Sequence, residues 1–274
     1  MNVDLLLANW PLLAGMVLAG AGGGLLSGLL GVGGGIVVVP VLFSVFTYLD
    51  VSPEIIMHLT VGTSFAAMIP TSLFSSLGHF RKGAVDFAIL KAWAPWAFLG
   101  CVLGVVIAGR SKSEILIYVF VAGALAVSAY MFFSGARPTE KDRMPGRLGA
   151  GGLAGLIGTV SALMGIGGGT FFVPLFTALG TRVHRAVGTS AALGVIVSTP
   201  GFIGYVAAGW QLEALPQLSF GFVNVLGAAI LMPVSAIFAP LGAALAHRLS
   251  PRVLKVCFAL FLLATSARML ATTL

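Results

Sequence analysis

Charged side chains in this chain stand almost only in short connectors between long apolar runs. The runs are 8–30, 36–49, 55–79, 87–109 and 113–134, followed by 148–164, 170–180, 185–209, 217–247 and 251–271. A hydrocarbon core about 30 Å thick is crossed by about 20 helical residues at about 1.5 Å each, and most of these runs are that long. In lipid every backbone N–H and C=O needs a partner within the protein, and a helix supplies one to each. Only 8% of the 274 residues are charged and 58% are hydrophobic, whereas an average soluble domain has about 25% charged. So few charges cannot cover a water-facing surface. A soluble enzyme, a secreted disulfide scaffold and a disordered chain are excluded. The expected fold is an all-α polytopic membrane protein with about ten helical segments, its partner being the lipid bilayer.

The net charge of +7 does not mark a nucleic-acid surface. Its residues sit in connectors such as Arg81-Lys82, Arg110 to Lys112 and Arg137 to Arg147, a pattern that reads as membrane topology. Cys101 and Cys257 both fall in apolar runs, with no CxxC pair, so neither a disulfide framework nor a metal site is expected. Met1 to Asp4 carries no Lys or Arg, unlike the head of a cleaved signal peptide, so Leu5 to Leu30 reads as the first span.

The polar stretch after Ser134, with Pro138 and Pro145, divides the chain into an N-terminal membrane repeat (1–134), a cytoplasmic linker (135–147) and a C-terminal membrane repeat (148–274). The halves share motifs in order. Gly31-Val-Gly-Gly-Gly-Ile-Val-Val-Val-Pro40 aligns with Gly165-Ile-Gly-Gly-Gly-Thr-Phe-Phe-Val-Pro174. His58-Leu-Thr-Val-Gly-Thr-Ser64 aligns with His184-Arg-Ala-Val-Gly-Thr-Ser190, and Gly104 and Arg110 align with Gly242 and Arg248. If all ten segments cross, one side holds Lys or Arg at 81, 82, 137, 141, 143, 147, 182, 185, 248, 252 and 255, and the other at 110, 112 and 268, with Lys91 inside a span. If the two short segments turn back instead, the bias vanishes. The positive-inside rule favours ten crossings. Five per half then inverts the second half relative to the first and puts both termini on the non-cytoplasmic side.

The short runs 36–49 and 170–180 each follow a glycine cluster, and short, Gly-interrupted segments at matching places in two halves point to a transporter's binding region. Gly33, Gly34 and Gly35, with Gly167, Gly168 and Gly169, allow backbone N–H groups to approach a solute at a helix start. There the first N–H groups have no helical partner and the dipole adds about half a positive charge. Such a site needs a polar hollow beside the glycines. The plainer alternative is close helix packing, and that is the expected role of Gly22 to Gly24 and Gly28. Thr63, Ser64, Thr189 and Ser190 offer hydroxyl donors without charge, as does Thr170. The alternative for each is a bond to backbone one turn earlier.

His58 and His184 occupy equivalent positions and could couple protons to transport, or His184 could lie at an interface between Arg182 and Arg185. His79 and His247 are expected at headgroup level, and Arg110 and Arg248 as anchors. Glu54 and Glu114 open spans. Pro95, Pro200, Pro233 and Pro240 should kink their helices, and the run 217–247 is long enough to need a tilt or kink. No HExxH, GxSxG, zinc spacing or Walker motif is present, so no enzyme activity, cofactor or metal is expected, and a gradient would drive any transport.

The paired pattern GxGGGxxxxP and VGTS, at Gly31 to Pro40 with Val61 to Ser64 and at Gly165 to Pro174 with Val187 to Ser190, resembles the TauE/SafE family of anion permeases. Chain size, two-half layout and polar central linker also agree. The resemblance implies an inner-membrane permease for sulfur-containing anions, such as sulfite or an organosulfonate like sulfoacetate, mostly for export. The resulting expectation is a secondary transporter working by alternating access about the two glycine breaks. An anion channel of the same fold and a carrier of another small anion are the alternatives, and a homodimer is compatible with either. A cation transporter would need carboxylates inside the spans, and the runs 5–49 and 59–77 contain no Asp or Glu.

Overall fold

The structure is a computed structural model and describes residues 10–31, 33–133, 144–212, 215–245 and 251–272. The described residues form ten helices: α1 (Trp10–Leu30), α2 (Gly35–Tyr48), α3 (Ile56–Phe80), α4 (Phe87–Ala108), α5 (Ser113–Phe133), α6 (Arg147–Met164), α7 (Gly169–Ala178), α8 (Val183–Gly209), α9 (Val225–Leu245) and α10 (Pro251–Ala271). Seven of them are long and apolar enough to cross a membrane, among the described residues. The short helices α2 and α7 have 14 and 10 residues. Most of the linker (135–143), His247 and Arg248 lie outside the described residues.

Helix ends follow the apolar runs closely, with one exception. The run 217–247 is not one helix: α9 starts at Val225, and the residues before it form a tight loop. Leu218 and Gly221 adopt positive φ (60° and 56°), Ser219 pairs with Asn224, and the Phe222 N–H donates to the Tyr205 carbonyl at 3.1 Å. The excess length goes into this loop rather than into tilt.

The halves interlock by the same contacts used twice. The first helix of each half packs on the fourth helix of the other. Along α1 and α9, Gly20 faces Val234, Gly24 faces Ser235 and Gly28 faces Ala239 and Gly242. Along α6 and α4, Gly151 faces Trp96, Gly155 faces Gly100, and Thr159 faces Gly104. Numbers rise together in both pairs, so each pair is parallel. A methyl on Gly28 or Gly158 would run into the carbonyl of Ala239 or Ala97, so these glycines act as the packing seam expected of Gly24 and Gly28.

The third helices, α3 and α8, meet at the centre. Gly62 faces Tyr205, Phe65 faces Gly201, Ser72 faces Gly194 and His79 faces Gly188. Here one number rises as the other falls, so these equivalent helices are antiparallel. The short helix α7 is anchored by Trp93, whose ring lies edge-on to Phe176 and Phe172 at 4.9 and 6.1 Å.

His79 is buried in the protein rather than exposed for headgroup contact. Its Nε2 lies 3.1 Å from the Gly28 carbonyl, because α1 ends against this part of α3. Glu54 is exposed just ahead of α3, and Glu114 lies in the first turn of α5. Arg110 is exposed just beyond α4, and all four prolines named above lie inside helices.

Candidate functional site

The two glycine breaks meet. Gly34 and Gly168 are the N-caps of α2 and α7, and both are left-handed, at φ 75° and ψ −21° and at φ 70° and ψ −29°. A side chain with a Cβ is strained in that conformation. Gly33 (φ 81°) faces Gly167 across the junction, so closely that a Cβ on Gly33 would lie 3.3 Å from the Gly167 Cα. A Cβ on Gly35 would collide with the Gly165 carbonyl. The starts of two short helices from different halves therefore abut at the middle of the bundle.

The polar hollow on which the anion-site expectation depends is not found there, so this closed structure itself holds no anion site at the glycine junction. Gly31, Gly33 to Gly35 and Gly165 to Gly169 are all buried, because backbones without Cβ atoms close directly on each other. A cleft of about 340 Å³ lies elsewhere, between α1, α2 and α10, lined by Leu12, Pro40, Val45, Tyr48, Phe261 and Arg268. At the second break the Gly168 and Gly169 N–H groups donate to the Ile166 and Gly167 carbonyls, each at 2.8 Å. These bonds span two residues, as in a γ-turn, whose classic form is rare and strained.

The VGTS hydroxyls have defined partners. Thr63 Oγ1 donates to the Leu59 carbonyl at 2.6 Å and accepts from the Asn224 N–H at 2.9 Å. Thr189 Oγ1 accepts from the Asp86 N–H at 2.9 Å. Asp86 and Asn224 are repeat equivalents that cap α4 and α9: Asp86 accepts from the Ala88 and Ile89 N–H groups, and Asn224 Oδ1 accepts from Gly227 at 2.8 Å. Each threonine thus ties its own helix to a helix start in the other half. Ser64 Oγ donates to the Gly165 carbonyl at 3.0 Å and braces the second break. Thr170 is buried at the start of α7.

Among the described residues the buried hydroxyls of Ser27, Ser72, Ser161, Ser190, Ser219 and Ser266 have no hydrogen-bond partner. Ser72 Oγ lies 3.6 Å from the Cβ position of Gly33, and Ser161 Oγ lies 3.6 Å from that of Gly168. Ser27 and Ser161 are repeat equivalents, on the last turns of α1 and α6 just before each break. Ser190 is the equivalent of Ser64. Of these, sequence reasoning singled out only Ser190. The available signal was that Ser27 and Ser161 both stand four residues ahead of the first glycine of their cluster.

The two histidines are not alike. His58 is buried, with Nε2 2.9 Å from the Ala108 carbonyl and its ring stacked on Phe222 at 4.9 Å. His184 is exposed. The fold does not bring the pair to the glycine junction together. No Lys, Arg, Asp or Glu is buried among the residues whose side chains are described, which leave out Arg252 and Lys255, and no group of three or more His, Cys, Asp or Glu could hold a metal among the described residues. Positive potential at the junction therefore comes from backbone.

A family model described as sulfite exporter TauE/SafE matches residues 16–269. A "Probable membrane transporter protein" of Haemophilus influenzae is 32% identical over 255 residues, covering 92% of this chain and 96% of its own. Proteins with the same description from Methanocaldococcus jannaschii and Bacillus subtilis are 28% and 26% identical, covering 85% and 78% of this chain and 86% and 87% of their own. No solved structure matches the chain significantly.

Proposed function

The chain belongs to the TauE/SafE sulfite exporter family, and from that premise we propose that it is a secondary transporter of a small sulfur-containing anion. Sulfite or an organosulfonate such as sulfoacetate is the substrate class, and the direction is export across the inner membrane. The protein is a set of two inverted repeats with both termini on the non-cytoplasmic side. The antiparallel packing of α3 on α8 supports the inversion, and the distribution of Lys and Arg supports the orientation.

The observation that carries this reading is the abutment of Gly33 on Gly167, which brings two helix starts together where no charged side chain among those described is buried. Helix N-termini attract anions, and discontinuous helices of paired repeats are where transporters hold their solutes. The structure is closed at this point. Rocking of one half against the other would part the glycine breaks and admit the anion to Gly33, Gly34, Gly35, Gly167, Gly168 and Gly169, with Thr170, Ser64 and Ser190 beside them. Thr63 and Thr189 then serve as ties between the halves rather than as donors to the anion.

Counterflow in proteoliposomes tests this, with sulfite, sulfoacetate, sulfate and a carboxylate, with and without a pH gradient. A transporter gives saturable exchange of one anion class, accelerated by unlabelled solute on the far side. Flux that never saturates would identify a channel, and no flux of any anion would refute the reading.

A further inference from the structure

We infer that the unpartnered hydroxyls of Ser72 and Ser161 are the side-chain donors of an oxyanion site built for a single negative charge. The inference rests on the proposed transport function and deepens it.

A buried hydroxyl without a partner is costly, and native proteins keep few of them. Two of them, Ser72 and Ser161, face the glycine breaks, each in a fully buried residue. Ser72 Oγ and Ser161 Oγ point to opposite breaks, each 3.6 Å from a glycine Cβ position. Both face glycines, and Ser72 Oγ also lies 2.9 Å from the Cβ position of Gly194. The equivalents of Ser190 and Ser72, Ser64 and Ser198, are engaged with the Gly165 and Val195 carbonyls at 3.0 and 3.4 Å. At each of these two repeat positions one copy is engaged and the other is unpartnered, Ser64 across to the second break and Ser198 only to its own helix. Ser27 and Ser161 remain unpartnered in both halves.

The charge follows from the same inventory. No Lys or Arg is buried among the residues whose side chains are described, so the field at the junction is taken to come from the dipoles of α2 and α7. Each contributes about half a positive charge at its start, and two together match about one negative charge. A doubly charged anion would keep about one uncompensated charge in a low-dielectric interior, where isolated charge is strongly disfavoured. The favoured ligand is therefore a singly charged tetrahedral or pyramidal oxyanion, which accepts hydrogen bonds from neutral hydroxyls and glycine N–H groups.

The test compares wild type with Ser72→Ala, Ser161→Ala and the double variant, reading thermal unfolding in detergent and counterflow of methanesulfonate, hydrogensulfite and sulfate. Removing an unpartnered hydroxyl leaves stability unchanged or raises it, so the melting temperature should not fall. The KM for a singly charged anion should rise about tenfold per hydroxyl removed, and sulfate should exchange poorly in wild type. Unchanged KM in the double variant would overturn the assignment of the hydroxyls. Sulfate exchanged as well as methanesulfonate would overturn the single-charge match. Wild type that exchanges no anion would instead refute the transport reading itself.

Discussion

Thr63 and Thr189 illustrate how a polar residue in lipid can be structural. Each hydroxyl accepts an N–H from the first residues of a helix in the other half, where the helix itself supplies no acceptor. Thr63→Val would leave the buried Asn224 N–H without that partner. Its cost is about 1–3 kcal/mol, seen as a lower melting temperature in detergent, with substrate KM little changed. A raised KM at unchanged stability would move Thr63 into the anion site. The equivalent tie at Asp86 carries an added ion pair to Arg185 at 3.4 Å, with the Arg185 side chain 60% exposed. An exposed pair is worth about 0–1 kcal/mol, whereas an N-cap is worth about 1 kcal/mol. Asp86→Asn should therefore be nearly neutral, since Asn224 performs the same cap in the other half, while Asp86→Ala should lower stability measurably. Equal losses in the two variants would show that the ion pair, not the cap, dominates.

At the scale of helices, apolar run length and glycine spacing were enough to place nearly every element. The exception, the start of α9, was hidden because Leu218 to Asn224 is apolar enough to read as helix, and only tertiary contact with Tyr205 shows that it turns. His79 was misplaced for a related reason: its basic neighbours Arg81 and Lys82 suggested the interface, but the end of α1 covers it. The repeated glycine clusters were legible as helix breaks. The unpartnered serines were not, because a serine in an apolar run looks the same whether or not its hydroxyl has a partner. The seams between α1 and α9 and between α6 and α4 give an element-level test. Gly28→Ala and Gly158→Ala each force a methyl into facing backbone, and overpacking of this kind costs about 1–3 kcal/mol. Gly152→Ala, with open space at its Cβ, is the control and should melt like wild type. Equal melting of all three would mean that the seams are loose.

For the whole molecule, the consequence of exchanged first and fourth helices is that neither half packs alone. α1 belongs by sequence to one half and by contact to the other, so movement between the halves must pivot about α3 and α8 rather than separate two independent bundles. The two threonine ties lie towards opposite ends of that antiparallel pair. Alternating access would loosen one while the other holds, with the glycine breaks between them as the point that opens. The claim on which this rests is that the anion lies between the starts of α2 and α7. Anomalous diffraction from crystals grown with selenite, a heavy oxyanion of sulfite shape, tests it most directly. The account predicts one strong peak between Gly33 and Gly167, within hydrogen-bonding reach of Ser72 and Ser161. A peak in the cleft beside Arg268, with none at the glycine junction in transport-competent protein, would contradict it.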